Sequence, residues 1–398
     1  MDMVIIGARI RDARRRRGLL QRELARSAGV SLSLVRKLEQ GDYGNGLRLE
    51  TVHRLAVALD VTTSALMSEP DAPEAEPGSA AAWDETCAAL RGDHVPAGDE
   101  PPTIGGVRDA LNDATAIYLD SRFADLSRTL HFVLRDADAL AGATDGNERA
   151  RARQVRAQAR QLAAITLSKV RLFGAAADAA DLAMADADDD LTMMASVDAR
   201  CSALLRQGLL AETSHLAARW AREAEPGRIS EATPDDLAAW GRMLITASTA
   251  AVRDNRPDDA REALRLARMA AAGAGRDYIP PSRPWGAFGP VTVAMIQAEH
   301  AMIQGKPDVT LRVGRQMTGH GYPVAENVYR HRLDVAHALA TTRKHDEAVG
   351  VMTSIRSVAP EWLALQRYAG DILAKVIARR RTLTSDMRDM ADFLRVPV

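Results

Sequence analysis

The sequence predicts an all-α protein of two or three compact units. At about 150 residues per domain, a chain of 398 residues exceeds a single small module. Only 4% of the residues are aromatic, and Ala, Leu and Arg outnumber the β-branched residues typical of strands. A content of 46% hydrophobic and 26% charged residues is the globular average, which argues against wholesale disorder and against a membrane protein.

Charge and proline content divide the chain into three parts. Residues 1–68 contain 12 basic and 7 acidic residues, whereas residues 69–103 contain nine acids, one arginine, six prolines and three glycines. A segment of the second composition cannot bury enough apolar surface to offset its chain entropy. We therefore expect an acidic Pro/Gly-rich linker at 69–103, between an N-terminal domain (1–68) and a C-terminal domain (104–398).

Cysteine usage and the N-terminus predict a cytoplasmic protein. Cys87 and Cys201 are too few for a disulfide framework, and their surroundings lack the Cys/His spacing of a zinc site. Only four consecutive large apolar residues precede the first arginine, a run too short for a signal peptide or a membrane span. No cofactor and no membrane partner are expected.

Five short helices are predicted in the N-terminal domain. They cover residues 5–17, 21–28, 32–40, 49–60 and 63–67. Gly18, Gly29 and Gly41 end the first three, and Ser31 is the predicted N-cap of the third. The helical period places one apolar stripe inward. Its members are Ile6, Ile10, Ala13, Leu24, Ala25, Ala28, Val35, Leu38, Val52, Leu55, Ala56 and Leu59.

The string IGARIRDARRRRGLLQRELARSAGVSLSLVRKLEQG resembles the Xre/Cro-type helix-turn-helix of phage repressors. The shared features are Gln at the start of the second helix, Ala-Gly-Val in the turn and Leu-Glu-x-Gly after the third helix. The resemblance covers residues 6–67 and implies that the third helix enters the major groove of duplex DNA. The DNA-binding residues that it implies are Gln21, Ser31, Leu32, Ser33, Arg36, Lys37 and Arg48.

These residues divide by expected role. The resemblance implies that Gln21 and Arg48 contact phosphate, while Leu32, Ser33, Arg36 and Lys37 point toward base edges. A polar residue is frequent in the family at the position of Leu32, so Leu32 suits a thymine methyl group. Ser31 fits a helix cap better than a base contact. Arg14 and Glu39 match a family ion pair inside the domain, and Arg15, Arg16 and Arg17 fit either a solvated face or phosphate contacts.

Helix pairs repeat through the C-terminal domain. Their turns fall near residues 121, 174, 208, 255, 305 and 343, in steps of 34 to 53 residues. Such steps fit an α-solenoid of tetratricopeptide-like hairpins with insertions. Ala179, Ala260 and Ala348 follow the turns and allow close helix packing. The predicted inner, concave-side helices are 152–172, 190–206, 235–253, 290–304 and 326–342.

The whole chain resembles actinobacterial Xre-type regulators with a tetratricopeptide-like C-terminal half. The matching strings are WGAFGPVTV at 285–293 and RLDVAHALATTRKHDEAVGVMTSIRSVAPE. Thr292 replaces an Asn of the family run, so a ligand role of that Asn is not carried over. The insertion at 273–290 fits either a plug formed by Tyr278, Trp285 and Phe288 or a ligand contact. Candidate ligand-binding residues on the concave side are Trp240, Trp285, Asn327 and Arg330.

The sequence lacks the protease, phosphate-loop and nucleophile-elbow motifs of common enzymes. Asp188, Asp189 and Asp190 fit a solvated turn better than a metal site, and the C-terminal histidines lack ligand spacing. We expect a transcriptional regulator without enzymatic activity, which dimerises on a palindromic double-stranded operator and senses a peptide or small-molecule effector. The alternative is a helical-repeat scaffold that binds another protein and is localised by its DNA-binding domain.

Overall fold

The chain is all-helical throughout the part that the computed structural model describes, as the sequence predicts. The described residues are 3–42, 47–67, 80–93, 102–281, 283, 284, 286–317 and 324–398. They contain 21 α-helices, one 3₁₀ turn and no strand. A single antiparallel bridge joins Tyr278 and Phe288.

The N-terminal domain has the five predicted helices around its own core. They are α1 Met3–Arg16, α2 Gln21–Ala28, α3 Leu32–Gln40, α4 Leu49–Leu59 and α5 Thr63–Leu66. All twelve residues predicted to face inward are buried. Gly29 and Gly41 adopt left-handed conformations that end α2 and α3. The helical period in the sequence therefore located this core correctly.

The predicted linker is wrong for residues 80–93. A 3₁₀ turn at Ala81–Trp83 leads into α6 at Asp84–Arg91. Trp83 and Ala89 are each 3% exposed and belong to the hydrophobic core of the C-terminal domain. The net negative charge of residues 69–103 as a whole concealed this short amphipathic segment. Residues 68–79 and 94–101 of the predicted boundary lie outside the described residues.

Consecutive helix pairs make up most of the C-terminal domain. They are α7 Ile104–Leu119 with α8 Phe123–Ala143, α9 Gly146–Lys169 with α10 Phe173–Asp186, α11 Asp190–Gln207 with α12 Leu210–Glu223, α13 Pro234–Arg253 with α14 Pro257–Ala274, α15 Pro290–Ile303 with α16 Pro307–Gln316, and α17 Ala325–Thr341 with α18 His345–Arg356. Three further helices follow: α19 Pro360–Ala364, α20 Arg367–Ile377 and α21 Ser385–Leu394.

The same backbone turn joins the two helices of every pair. One residue in each turn has a left-handed conformation with φ between 56° and 84°, and these residues are Ser121, Arg171, Gly208, Asn255, Gly305 and Arg343. The amide of the next residue donates to the carbonyl five positions earlier, at 2.8–3.1 Å, in all six turns. This hydrogen bond satisfies a carbonyl at the end of the first helix. The described residues therefore contain the six predicted turns between helix pairs, with the second turn at 171 rather than 174.

The first helices of the pairs form a continuous inner layer. Helix α7 packs on α9, α9 on α11, α11 on α13, α13 on α15, and α15 on α17. The row curves until its two ends meet. The Tyr118 hydroxyl donates to Glu326 at 3.2 Å, Lys169 pairs with Glu326, and the Ala124 amide donates to Glu361 at 2.9 Å.

A residue of the insertion after α14 fills space in the hydrophobic core between the first helices of neighbouring pairs. The Phe288 side chain is fully buried in the core that contains α13, and its ring lies against Gly241, which has no side chain to displace it. Asp277 accepts hydrogen bonds from the amides of Val291 and Thr292 at 2.7 and 2.9 Å, which caps α15. Thr292 is only 4% exposed and also donates its hydroxyl to Asp277. Phe288 and Thr292 are thus structural residues.

Candidate DNA interface and interdomain cavity

A buried ion pair fixes the arrangement of the first three helices. Arg14 in α1 donates from Nε and Nη2 to the two carboxylate oxygens of Glu39 in α3, at 2.6 and 2.8 Å. Gln21 at the start of α2 donates to the same carboxylate at 2.8 Å. Burial alone would raise the pKa of Glu39, but the hydrogen bonds from Arg14 and Gln21 hold it below its usual value. The predicted Arg14–Glu39 pair is confirmed.

Helix α3 presents a polar face to solvent from this rigid support. The Ser31 hydroxyl accepts from the Leu34 amide at 3.1 Å and caps the helix, as predicted. Ser33, Arg36 and Lys37 are exposed, while Leu32 is half-buried at the edge of the core. Arg36 lies at the middle of α3 and Lys37 in its last turn. A helix with one buried face and such exposed basic residues on the other suits insertion into the major groove.

The N-terminal domain docks on the C-terminal domain through α4 and α5. The Thr63 hydroxyl and His53 Nδ1 both donate to the Arg253 carbonyl at 2.8 Å. The Ser64 amide donates to Asp254 Oδ1 at 2.8 Å, and Asn255 Nδ2 donates to the Val61 carbonyl at 3.0 Å. The receiving surface is the turn between α13 and α14. Docking through α4 and α5 leaves Ser33, Arg36 and Lys37 exposed.

Two ion pairs join α4 to α20 beside this contact. Arg48 Nη1 lies 2.6 Å from Asp371 Oδ1, and Lys375 Nζ lies 2.7 Å from Glu50 Oε1. The sequence predicts that Arg48 contacts phosphate, so DNA would have to compete with Asp371 for the same guanidinium. Gln21 is likewise occupied by Glu39. Phosphate contacts by Gln21 and Arg48 stay predictions.

A cavity of about 530 Å³, the seam cavity, lies between α4 and the C-terminal domain. Its lining combines apolar side chains such as Leu49 and Met302 with charged groups of both signs, and it includes Arg330 of α17. Arg330 Nη2 lies 3.4 Å from Glu299 Oε1. The volume falls within the range of about 300–1,000 Å³ typical of small-molecule sites.

Of the predicted ligand residues that the structure describes, only Arg330 lines the seam cavity. Asn327 is half-buried outside its lining. Trp240 is 3% exposed and belongs to the hydrophobic core, because its position on α13 points into the packing between helices. Trp285 lies outside the described residues. The expectation that aromatic residues line a ligand groove is therefore wrong for Trp240.

Other candidate residues have structural partners. Asp189 accepts from the Thr192 amide at 2.8 Å and caps α11, and Asp188 pairs with Arg153 at 2.9 Å. Within the described ranges, His, Cys, Asp and Glu form no group that could hold a metal ion. No helix among the described residues is long and apolar enough to cross a membrane.

Comparison with known proteins identifies the N-terminal domain. A family model described as a helix-turn-helix domain matches residues 5–68. Neither the curated proteins nor the solved structures contain a match to this chain. The chain therefore carries a helix-turn-helix DNA-binding domain, joined to a helical domain of more than 290 residues.

Sequence patterns could not reveal the docking residues. Glu50 and Lys375 are 325 positions apart, and His53 and Arg253 are 200 apart. Each of these polar residues resembles an ordinary solvated helix position within its own element. The contact between two domains depends on the curvature of the whole C-terminal domain, which no single helix period encodes.

Proposed function

We propose that the protein is a sequence-specific transcriptional regulator of the Xre type. The exposed face of α3, which carries Ser33, Arg36 and Lys37, is the observation that carries this proposal. Two further observations agree with this proposal. The Arg14–Glu39 pair holds α3 in place, and the helix-turn-helix family model matches residues 5–68. Base edges supply the sequence information that such side chains read. No enzymatic activity and no cofactor are assigned, and we propose a cytoplasmic location.

We further propose that the C-terminal domain is a tetratricopeptide-like repeat that dimerises and senses an effector. Two observations support the proposal of a repeat: the six helix pairs share one turn geometry, and the first helices of the pairs pack side by side in an inner layer. One recognition helix contacts about four to six base pairs, so two domains on a palindromic operator supply the remaining specificity. The docking of α4 and α5 on the C-terminal domain offers a route from effector to DNA.

The test is selection of bound duplexes from a random library by the full-length protein. A regulator of this kind enriches a palindrome whose half-sites lie about one helical turn apart, 10–10.5 base pairs centre to centre, or a multiple of it. Equal recovery of unrelated sequences would leave only non-specific phosphate binding and refute the proposal. A single unrepeated half-site would support base recognition and contradict the dimer.

A further inference from the structure

The seam cavity carries more positive than negative groups. Its cationic side chains are Arg54, Arg253, Arg330, Lys375 and Arg379, and its carboxylates are Glu50, Glu299, Asp334 and Asp371. Burial raises the pKa of Asp334 to about 7, although the nearby guanidinium of Arg330 opposes this shift. Asp371 is already paired with Arg48, which lies outside the lining. The cavity therefore has unneutralised positive charge.

One lining cation has no partner, and two others share a single carboxylate. The Arg379 side chain is exposed and forms no hydrogen bond or ion pair with a described residue. Arg253 and Arg330 both pair with Glu299. Next to these groups, Leu49, Met302, Ile303, Pro307 and Ala340 provide an apolar wall. A ligand with an apolar body and one anionic group matches both features of the lining.

A chain of hydrogen bonds connects the cavity wall to the N-terminal domain. Lys375 Nζ donates to Glu50 Oε1 at 2.7 Å and to His337 Nε2 at 2.9 Å. His337 Nδ1 therefore carries the ring proton and donates to the Tyr368 hydroxyl at 2.9 Å, and this hydroxyl donates to Asp334 at 3.0 Å. Lys375 thus connects Glu50 of the N-terminal domain to the side chains of His337, Tyr368 and Asp334.

Glu50 belongs to the docked domain, so it can be displaced without unfolding the C-terminal domain. Burial opposes ionisation of Glu50, yet the ammonium of Lys375 holds the pKa of this carboxyl below its usual value. An incoming anion would offer Lys375 the same charge-assisted hydrogen bond that Glu50 offers now. A second anion at Lys375 would lie beside the Glu50 carboxylate, and repulsion between the two negative charges sets binding of the anion against docking through Glu50.

From this arrangement we infer that the seam cavity is an effector site for a small organic anion with an apolar body. Its anionic group binds Lys375 and Arg379, its body lies against Leu49 and Met302, and it displaces Glu50 and so loosens the docking of α4 and α5. Such an anion would be the effector of the regulator proposed above. Its regulatory role depends on that function, whereas its binding does not.

The experiment uses two dyes that share one aromatic body. The anionic dye 8-anilinonaphthalene-1-sulfonate and its uncharged counterpart N-phenyl-1-naphthylamine are titrated into the folded full-length protein, with fluorescence as the readout. Lys375→Met and Arg379→Gln should each weaken the sulfonate dye about tenfold, the size of one lost charge-assisted contact, and leave the uncharged dye unchanged. Glu50→Gln should strengthen the sulfonate dye, because it removes the competing carboxylate.

Arg108→Gln is the matched control for Arg379→Gln, since Arg108 is exposed on α7 and neither it nor its chain neighbours line the cavity. Arg379→Gln changes an exposed side chain, so it tests the site even if Lys375→Met does not fold. Equal sulfonate affinity in the wild type and in Arg379→Gln and Lys375→Met would overturn the inference. Weaker binding to Glu50→Gln would overturn the competition with docking.

Hydrogen exchange of the Ser64 amide, which donates to Asp254 Oδ1, reports docking directly. The sulfonate dye should accelerate this exchange, and unchanged exchange at saturation would contradict release of the domain. All of these measurements are made without DNA. Failure to select a specific operator would therefore refute the regulatory function alone, and selective DNA binding with no sulfonate site would refute the effector site alone.

Discussion

Removal of Glu39 should strongly destabilise the DNA-binding domain, because it leaves Arg14 buried without its counter-ion. The Arg14 and Glu39 side chains are only 11% and 3% exposed, and two hydrogen bonds join them. Breaking such a pair from one side destabilises by about 3–5 kcal/mol. A domain of this size has roughly 3–10 kcal/mol in total at about 0.05–0.15 kcal/mol per residue. Glu39→Ala therefore removes a third or more of that stability.

Amide hydrogen exchange of α3 in the full-length protein measures this loss site by site. Asp12→Ala, an exposed acid on α1, is the matched control and should change stability by no more than about 0.5 kcal/mol. Replacing both partners by methionine should recover much of the loss, since no charge is then left buried. A Glu39→Ala protein whose α3 exchanges as slowly as the wild type would refute the structural role of the pair.

Three further predictions concern the C-terminal domain. His331 is 4% exposed without a hydrogen-bond partner, and burial lowers its pKa to about 4. The unfolded chain therefore binds a proton at this residue more readily than the folded protein, so the free energy of unfolding falls as the pH drops from 6.5 toward 4. His331→Phe should reduce the loss in unfolding free energy between pH 8 and pH 5 by about 2 kcal/mol. An unchanged pH dependence in urea titrations would contradict it. A Cβ on Gly241 would lie 1.9 Å from the Phe288 ring, so Gly241→Ala should destabilise by about 3 kcal/mol, whereas Gly350→Ala, with open space, should stabilise by about 0.5–1 kcal/mol. Burial raises the pKa of the Cys201 thiol, so iodoacetamide should label it only after unfolding; rapid labelling of the native protein would show that the site opens.

Local patterns predicted the helices and the N-terminal core well. The period of 3.6 residues located all twelve buried residues of the N-terminal domain, and glycine and serine located the ends of α2 and α3. The recurring pattern of helix pairs also predicted the six turns of the C-terminal domain, the second of them within three residues of its position. These features depend on residues close together in the sequence.

Features that depend on distant residues were missed. The sequence places Trp240 in a ligand groove, but an aromatic residue on an inner helix can face either the groove or the next hairpin, and only the packing of the helices decides between them. The segment around Trp83 was assigned to a linker because its acidic neighbours dominate the average charge. Docking through Glu50 and Lys375 joins residues 325 positions apart, and no local signal marks either of them.

Base recognition by α3 is tested most directly by the ratio of specific to random DNA affinity in Lys37→Ala and Lys306→Ala. The two variants lose the same charge, one on the exposed face of α3 and one at the exposed turn between α15 and α16 of the C-terminal domain. Once a selected operator is available, Lys37→Ala should weaken operator binding by about 1–3 kcal/mol more than random duplex binding, and Lys306→Ala should keep the wild-type ratio. An equal loss on operator and random duplex in Lys37→Ala would mean that Lys37 contacts only phosphate, and it would contradict the account.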